Sequence, residues 1–116
     1  MKTLQAVHQT VEFEVDGVRL HGDQTVPPSA NSIVIFAHGS GSSRHSPRNK
    51  FVAEKLQEAG LATLLFDLLS EEEETEDQPT GHLRFDIPAL AGRLVKVCEA
   101  MRERPRFKNF KYSQIF

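Results

Sequence analysis

Val11, Phe13 and Val15 alternate with Glu12 and Glu14, and Val18 and Leu20 alternate with Arg19 and His21, on either side of Asp16-Gly17. Alternation at period two across an Asp-Gly pair predicts a β-hairpin with a two-residue turn. The implied register sets Val15 against Val18 and Phe13 against Leu20 on one face, and Glu14 against Arg19 and Glu12 against His21 on the other, so both faces are self-consistent. Val26-Pro27-Pro28-Ser29-Ala30-Asn31 breaks the pattern, because neither proline can donate to a ladder.

Residues 33–37 (Ile-Val-Ile-Phe-Ala) are apolar without alternation, as expected of a strand buried on both faces. A helix is predicted from Ser46, a suitable N-cap, with Pro47 at the first helical position and Val52, Leu56 and Ala59 forming a stripe beside Phe51. Gly60 suits a left-handed termination. Leu61 to Phe66 reads as a second buried strand closed by Asp67, making residues 33–66 a right-handed βαβ unit with parallel strands. The run Glu71 to Asp77 and the turn-rich Gln78-Pro79-Thr80-Gly81 predict a solvated loop over 70–82. A second helix is predicted from Asp86 to a stop at Pro105, with Leu90, Leu94 and Cys98 in one stripe widened by Ala91, Val95 and Met101.

A chain of 116 residues suits one domain. The net charge of −2 predicts no attraction to nucleic acid, although residues 102–116 concentrate Arg102, Arg104, Arg106, Lys108 and Lys111 against Glu103 alone. This segment reads as a basic, aromatic tail of uncertain structure behind a domain at 1–101. The single Cys98 excludes an intramolecular disulfide and any multi-cysteine metal site, and no apolar run approaches the roughly 18 residues of a membrane span, so a cytoplasmic setting with no membrane partner is expected.

Candidate chemistry lies where the first buried strand runs into His38-Gly39-Ser40-Gly41-Ser42-Ser43 before a helix. Glycine allows close backbone approach and a helix N-terminus favours negative charge, so such a loop suits a phosphate or an oxyanion. The segments VIFAHGSGSSRHSPRN (34–49) and GLATLLFDLL (60–69), with Arg84-Phe85-Asp86-Ile87 and the helix after it, resemble the dienelactone hydrolase-like branch of the α/β-hydrolase superfamily over roughly residues 10 to 101. The resemblance implies an α/β fold: the N-terminal part of a three-layer αβα hydrolase, in which an antiparallel hairpin leads into a parallel sheet. It also implies that His38, Gly39, Ser40 and Gly41 form an oxyanion-hole loop in which the Ser40 backbone N–H is one donor.

The second donor in that fold follows the nucleophile of a G-x-S-x-G elbow, and this sequence contains no such motif. The resemblance therefore implies a truncated hydrolase whose full-length relatives would cleave small-molecule esters or lactones, inactive as this chain alone, with no complete catalytic set, metal or cofactor. A triad improvised from Ser40, Ser42 or Ser43 with His38 and Asp67 is set against a blander reading: serines that solvate a turn and an aspartate that ends a strand. His8, His21, His45 and His82 read as surface residues, and Cys98 as a small core residue. Two other functions compete. A strand ending in His-Gly-Ser before an arginine and a helix is similar to the sirohydrochlorin type of chelatase, or to a phosphate-ligand module, with His38 as metal or substrate base; the preceding hairpin argues against it. A non-catalytic interaction protein completed by a partner chain would expose a sheet edge open to self-association.

Overall fold

The computed structural model describes residues 6–38 and 44–115. Strands β1 (Val7–Val15) and β2 (Val18–Val26) form the predicted hairpin, with Val15 opposite Val18, Phe13 opposite Leu20, Glu14 opposite Arg19 and Glu12 opposite His21. Asp16 and Gly17 both take positive φ, 53° and 78°, as the turn requires. The second strand runs further than the alternation suggests, because its later half pairs antiparallel with β4 (Ala62–Asp67). Gly22 sits at that crossing: a Cβ there would lie 3.0 Å from both Leu64 and Phe66, so a side chain would require these neighbours to give by a few tenths of an ångström.

β3 (Ser32–His38) lies parallel to β4 and to β5 (Lys111–Ile115), and the sheet order is β1-β2-β4-β3-β5. Side chains of the buried strands divide strictly by face. Ile33, Ile35, Ala37, Ala62, Leu64 and Phe66 join the larger core, whereas Val34, Phe36 and Leu65 join a smaller one with Ala53. α1 (Pro47–Glu58) covers the smaller cluster, and α3 (Ile87–Glu103) supplies Leu90, Val97, Cys98 and Met101 to the larger. The result is the expected αβα sandwich.

Caps and stops follow the sequence closely. The Ser46 side chain accepts from the Asn49 N–H ahead of Pro47, Asp86 accepts from the Ala89 N–H, and Gly60 takes φ 90° after α1. The helix faces differ from expectation. On α1 the buried residue is Ala53, with Leu56 partly buried, while Phe51 and Val52 are exposed. On α3, Val97 replaces Ala91 and Val95, which face solvent. Both helices carry apolar residues on two adjoining faces, and periodicity alone does not say which of them meets the sheet.

Residues 70–82 are not simply a solvated loop. α2 (Glu71–Asp77) is closed by a capping box: the Glu73 N–H donates to the Ser70 hydroxyl at 3.1 Å, and the Ser70 N–H to the Glu73 carboxylate at 3.0 Å. The acidic run fills the first turn, where the helix dipole favours negative charge. Arg93 then clamps Glu73 through two 2.7 Å bonds and holds the Leu68 carbonyl. At the far end Asp77, 1% exposed, accepts from the Leu83 and Arg84 N–H groups and so ties down the following turn.

The segment expected to be a tail of uncertain structure is part of the domain. After a 3₁₀ turn at Pro105–Phe107, β5 (Lys111–Ile115) pairs parallel with β3. Phe107 is buried and packs edge-on to Phe110, and the Tyr112 hydroxyl donates to the Phe107 carbonyl at 2.9 Å. Burial pushes the Tyr112 phenol up from its ordinary pKa. The arginines that obscured the pattern lie on rings, Arg102 over Tyr112 and Arg104 over Phe13.

Candidate active site

Because β3, β4 and β5 are parallel, their carboxyl ends share one end of the sheet, the usual place for sites in open α/β folds. His38 closes β3 opposite Asp67, which closes β4. The predicted loop residues Gly39, Ser40 and Gly41, with Ser42 and Ser43, lie outside the described residues. The loop's two anchors are nevertheless defined, since His38 is in register with Asp67 and the chain returns at Arg44 to that same aspartate.

Both Asp67 oxygens are engaged there. Oδ1 accepts the Arg44 backbone N–H at 2.8 Å and Oδ2 accepts Arg44 Nη1 at 2.6 Å. Arg44 Nε lies 3.5 Å from Asp23 of β2. Both members of the Arg44–Asp67 pair are largely buried, with side chains 16% and 12% exposed, so the bonds act in a medium of reduced dielectric. The carboxylate that an improvised triad would need for orienting His38 thus carries two bonds from Arg44. Arg44 and Asp23 were not singled out from sequence. The available signal was a cation six residues beyond the end of β3, next to a strand-closing carboxylate one strand away.

The surroundings are acidic. A groove of about 690 Å³ runs from Glu14 and His21 past Arg44 to Glu71, Glu72 and Glu76. Glu74 has its carboxyl pushed up, first by burial and then by Asp67 and Glu71, with Arg44 opposing. Glu73 is pulled down, chiefly by its bonds to Arg93. On the α1 face a smaller groove of about 320 Å³ passes between β1, β2 and the helix, lined by His8, Thr10, Gln24, Arg44, Lys50 and Gln57. Among the described residues no three His, Cys, Asp or Glu side chains are grouped to hold a metal ion. No helix among them is long and apolar enough to cross a membrane.

His8, His45 and His82 are exposed and His21 is partly so, as expected of surface histidines. His8 Nδ1 lies 2.9 Å from the Thr25 hydroxyl, and His82 Nδ1 2.7 Å from that of Thr80. Cys98 is buried in the larger core.

No family model matches the chain. Two curated Mycobacterium tuberculosis proteins, from strains CDC 1551 / Oshkosh and ATCC 25618 / H37Rv, are each 48% identical over 97 residues and carry the provisional name phosphoribosyl transferase. The match takes in 84% of this chain and 21% of each relative, so the chain spans about a fifth of their length. Among solved structures, a dienelactone hydrolase from Anabaena variabilis ATCC 29413 is 50% identical with a TM-score of 0.90, over 96% of this chain and 51% of that one. Est1E from Butyrivibrio proteoclasticus (17% identical, TM-score 0.68, 90% of this chain and 38% of that one) shares the fold. So does a cold-adapted esterase from an Arctic intertidal metagenomic library (13%, TM-score 0.70, 98% and 51%).

Proposed function

We propose that this chain, which belongs to the dienelactone hydrolase-like branch of the α/β-hydrolase superfamily and carries the N-terminal portion of that fold, supplies the oxyanion-hole half of an ester- or lactone-hydrolysing site. The observation that carries the reading is the placement of β5. It lies parallel to β3, so its carboxyl end stands beside the loop that begins at His38. In this fold the nucleophile elbow follows the strand beside that loop, and the serine attacks a carbonyl whose oxygen is held by backbone N–H groups from both loops. Ser40 would offer one donor through its backbone. The Arg44–Asp67 pair would fix the far side of the loop, so that the donor is preorganised before charge develops.

No G-x-S-x-G motif occurs in the 116 residues, so this polypeptide by itself is expected to lack a nucleophile and to be inactive. We assign the transferase name of the mycobacterial relatives to the four-fifths of those proteins that this chain does not match. The test is hydrolysis of p-nitrophenyl acetate by the 116-residue chain, expected to show no burst and no rate above buffer. A burst abolished by Ser40→Ala, Ser42→Ala or Ser43→Ala alone would show that the loop carries its own nucleophile and would sink the proposal.

A further inference from the structure

β1 is the edge strand at the end of the sheet away from β5, and it runs for nine residues. Among the described residues it pairs with β2 on one side and with no strand on the other. The two-residue turn at Asp16-Gly17 makes Val15 and Val18 a hydrogen-bonded pair, and bonded pairs alternate with non-bonded ones along an antiparallel ladder. Val7, Gln9, Val11 and Phe13 therefore turn their backbone N–H and C=O groups toward β2. Those of His8, Thr10, Glu12 and Glu14 point outward, a row able to take a further strand wherever the side chains permit it.

Exposed carboxylates ordinarily discourage such pairing, so the positions of Glu12 and Glu14 select what can be added. If the added strand is β1 of a second copy, antiparallel about a two-fold axis normal to the sheet, the axis falls on a single residue, because opposed side chains share a face. An axis at Glu12 sets that carboxylate against itself, and one at Phe13 sets it against Glu14; both are repulsive. An axis at Thr10 leaves Glu14 and Val15 without a counterpart and sets His8 against Glu12, which Arg19 already holds at 3.4 Å. An axis at Val11 engages all nine residues of the strand. Glu14 then faces His8, whose Nδ1 lies 2.9 Å from the Thr25 hydroxyl and whose Nε2 is left for the carboxylate, and Glu12 faces the Thr10 hydroxyl. On the other face Val7, 46% exposed, meets Val15, Gln9 meets Phe13, and Val11 meets itself. We propose that β1 pairs in this register with β1 of a second copy, joining the two sheets into one. The surface is independent of the site proposed at the carboxyl ends of β3 and β4.

Cross-linking reads the register directly. Val11→Cys should form a disulfide with its own copy under mild oxidation, because a non-hydrogen-bonded antiparallel pair holds its Cα atoms about 4.5 Å apart, within disulfide reach. Thr10→Cys, which faces Glu12 of the other copy, should not. Cys98 is buried, and the unaltered chain serves as its control. Sedimentation of the unaltered chain should give a dimer, in which the amides of His8, Thr10, Glu12 and Glu14 exchange at least about tenfold more slowly than in dilute solution. Thr10→Pro removes an outward N–H, which an edge strand tolerates, and should give a monomer with the hairpin intact. Should that variant not fold, cross-linking and exchange still decide. Equal disulfide yield from Thr10→Cys and Val11→Cys would overturn the register. A monomer up to about 1 mM, or a dimer whose protection spares the outward β1 amides, would overturn the pairing itself.

Discussion

Arg44 and Asp67 carry the most consequence at the scale of single residues. Asp67→Asn keeps the shape but removes the charge from a pair whose members are mostly buried, leaving the Arg44 guanidinium with Asp23 at 3.5 Å as its nearest carboxylate. The expected loss is about 2–3 kcal/mol of unfolding free energy in urea, since bonds to charged groups lie near the upper end of the hydrogen-bond range. Arg44→Ala should cost much less in the Asp67→Asn background than in the unaltered chain. Equal and additive losses would show that the two do not act as a pair. Glu73 offers a pH test. Its folded pKa lies below its ordinary 4.5 because Arg93 favours the ionised form. Its contribution is therefore fully present above pH 4.5 and is lost as pH falls through the lowered folded value. Glu73→Gln should flatten the acid limb of stability against pH while lowering stability at pH 7 by about 1–2 kcal/mol, between the values of exposed and buried pairs. The strand-end aspartate was legible in the sequence, but its partner was not: Arg44 is 23 residues away along the chain, and only the βαβ crossover brings the two together.

Among the elements, the hairpin, β3, α1, β4 and α3 were legible because their signals are local: alternation, a turn dipeptide, an N-cap followed by proline, an apolar run. α2 and β5 were not, for opposite reasons. In α2 the acidic residues look like a repelling loop until Ser70 is seen as an N-cap with Glu73 three residues later; the capping box was in the sequence and outweighs the repulsion. Ser70→Ala should cost about 1 kcal/mol, a typical N-cap loss, and should speed amide exchange at Glu73 and Glu74 without disturbing α3. Equal acceleration through α3 would mean that the short helix does not open independently. β5 offers no such local signal. Lys111, Tyr112 and Ser113 become a strand by pairing with Ser32, Ile33 and Val34, which lie some eighty residues earlier. Arg102 and Arg104 stack on rings that no spacing rule connects to them.

Across the whole molecule, the sheet divides the apolar material unequally. The α3 face gathers Phe13, Leu20, Ile33, Ile35, Leu64, Phe66 and Met101 into a continuous core, whereas the α1 face holds Val34, Phe36, Ala53 and Leu65 with Leu56 and Leu61 at their margin. Local opening free energy scales with the apolar burial that opening undoes. α1 is further tied to β4 by the Gln57 to Thr63 bond of 2.8 Å, a single polar contact that adds about 1 kcal/mol. Native-state hydrogen exchange should therefore find α1 opening at a free energy well below that of α3, with Val97, Cys98 and Met101 exchanging only by global unfolding. Ala53→Gly would widen the gap by removing both a helix-favouring residue and the methyl at the centre of the small core, about 1–2 kcal/mol at α1, with α3 unchanged. If both helices opened at the same free energy, the two faces would be one cooperative unit, and the sheet would transmit packing between them more strongly than the separation of the clusters allows.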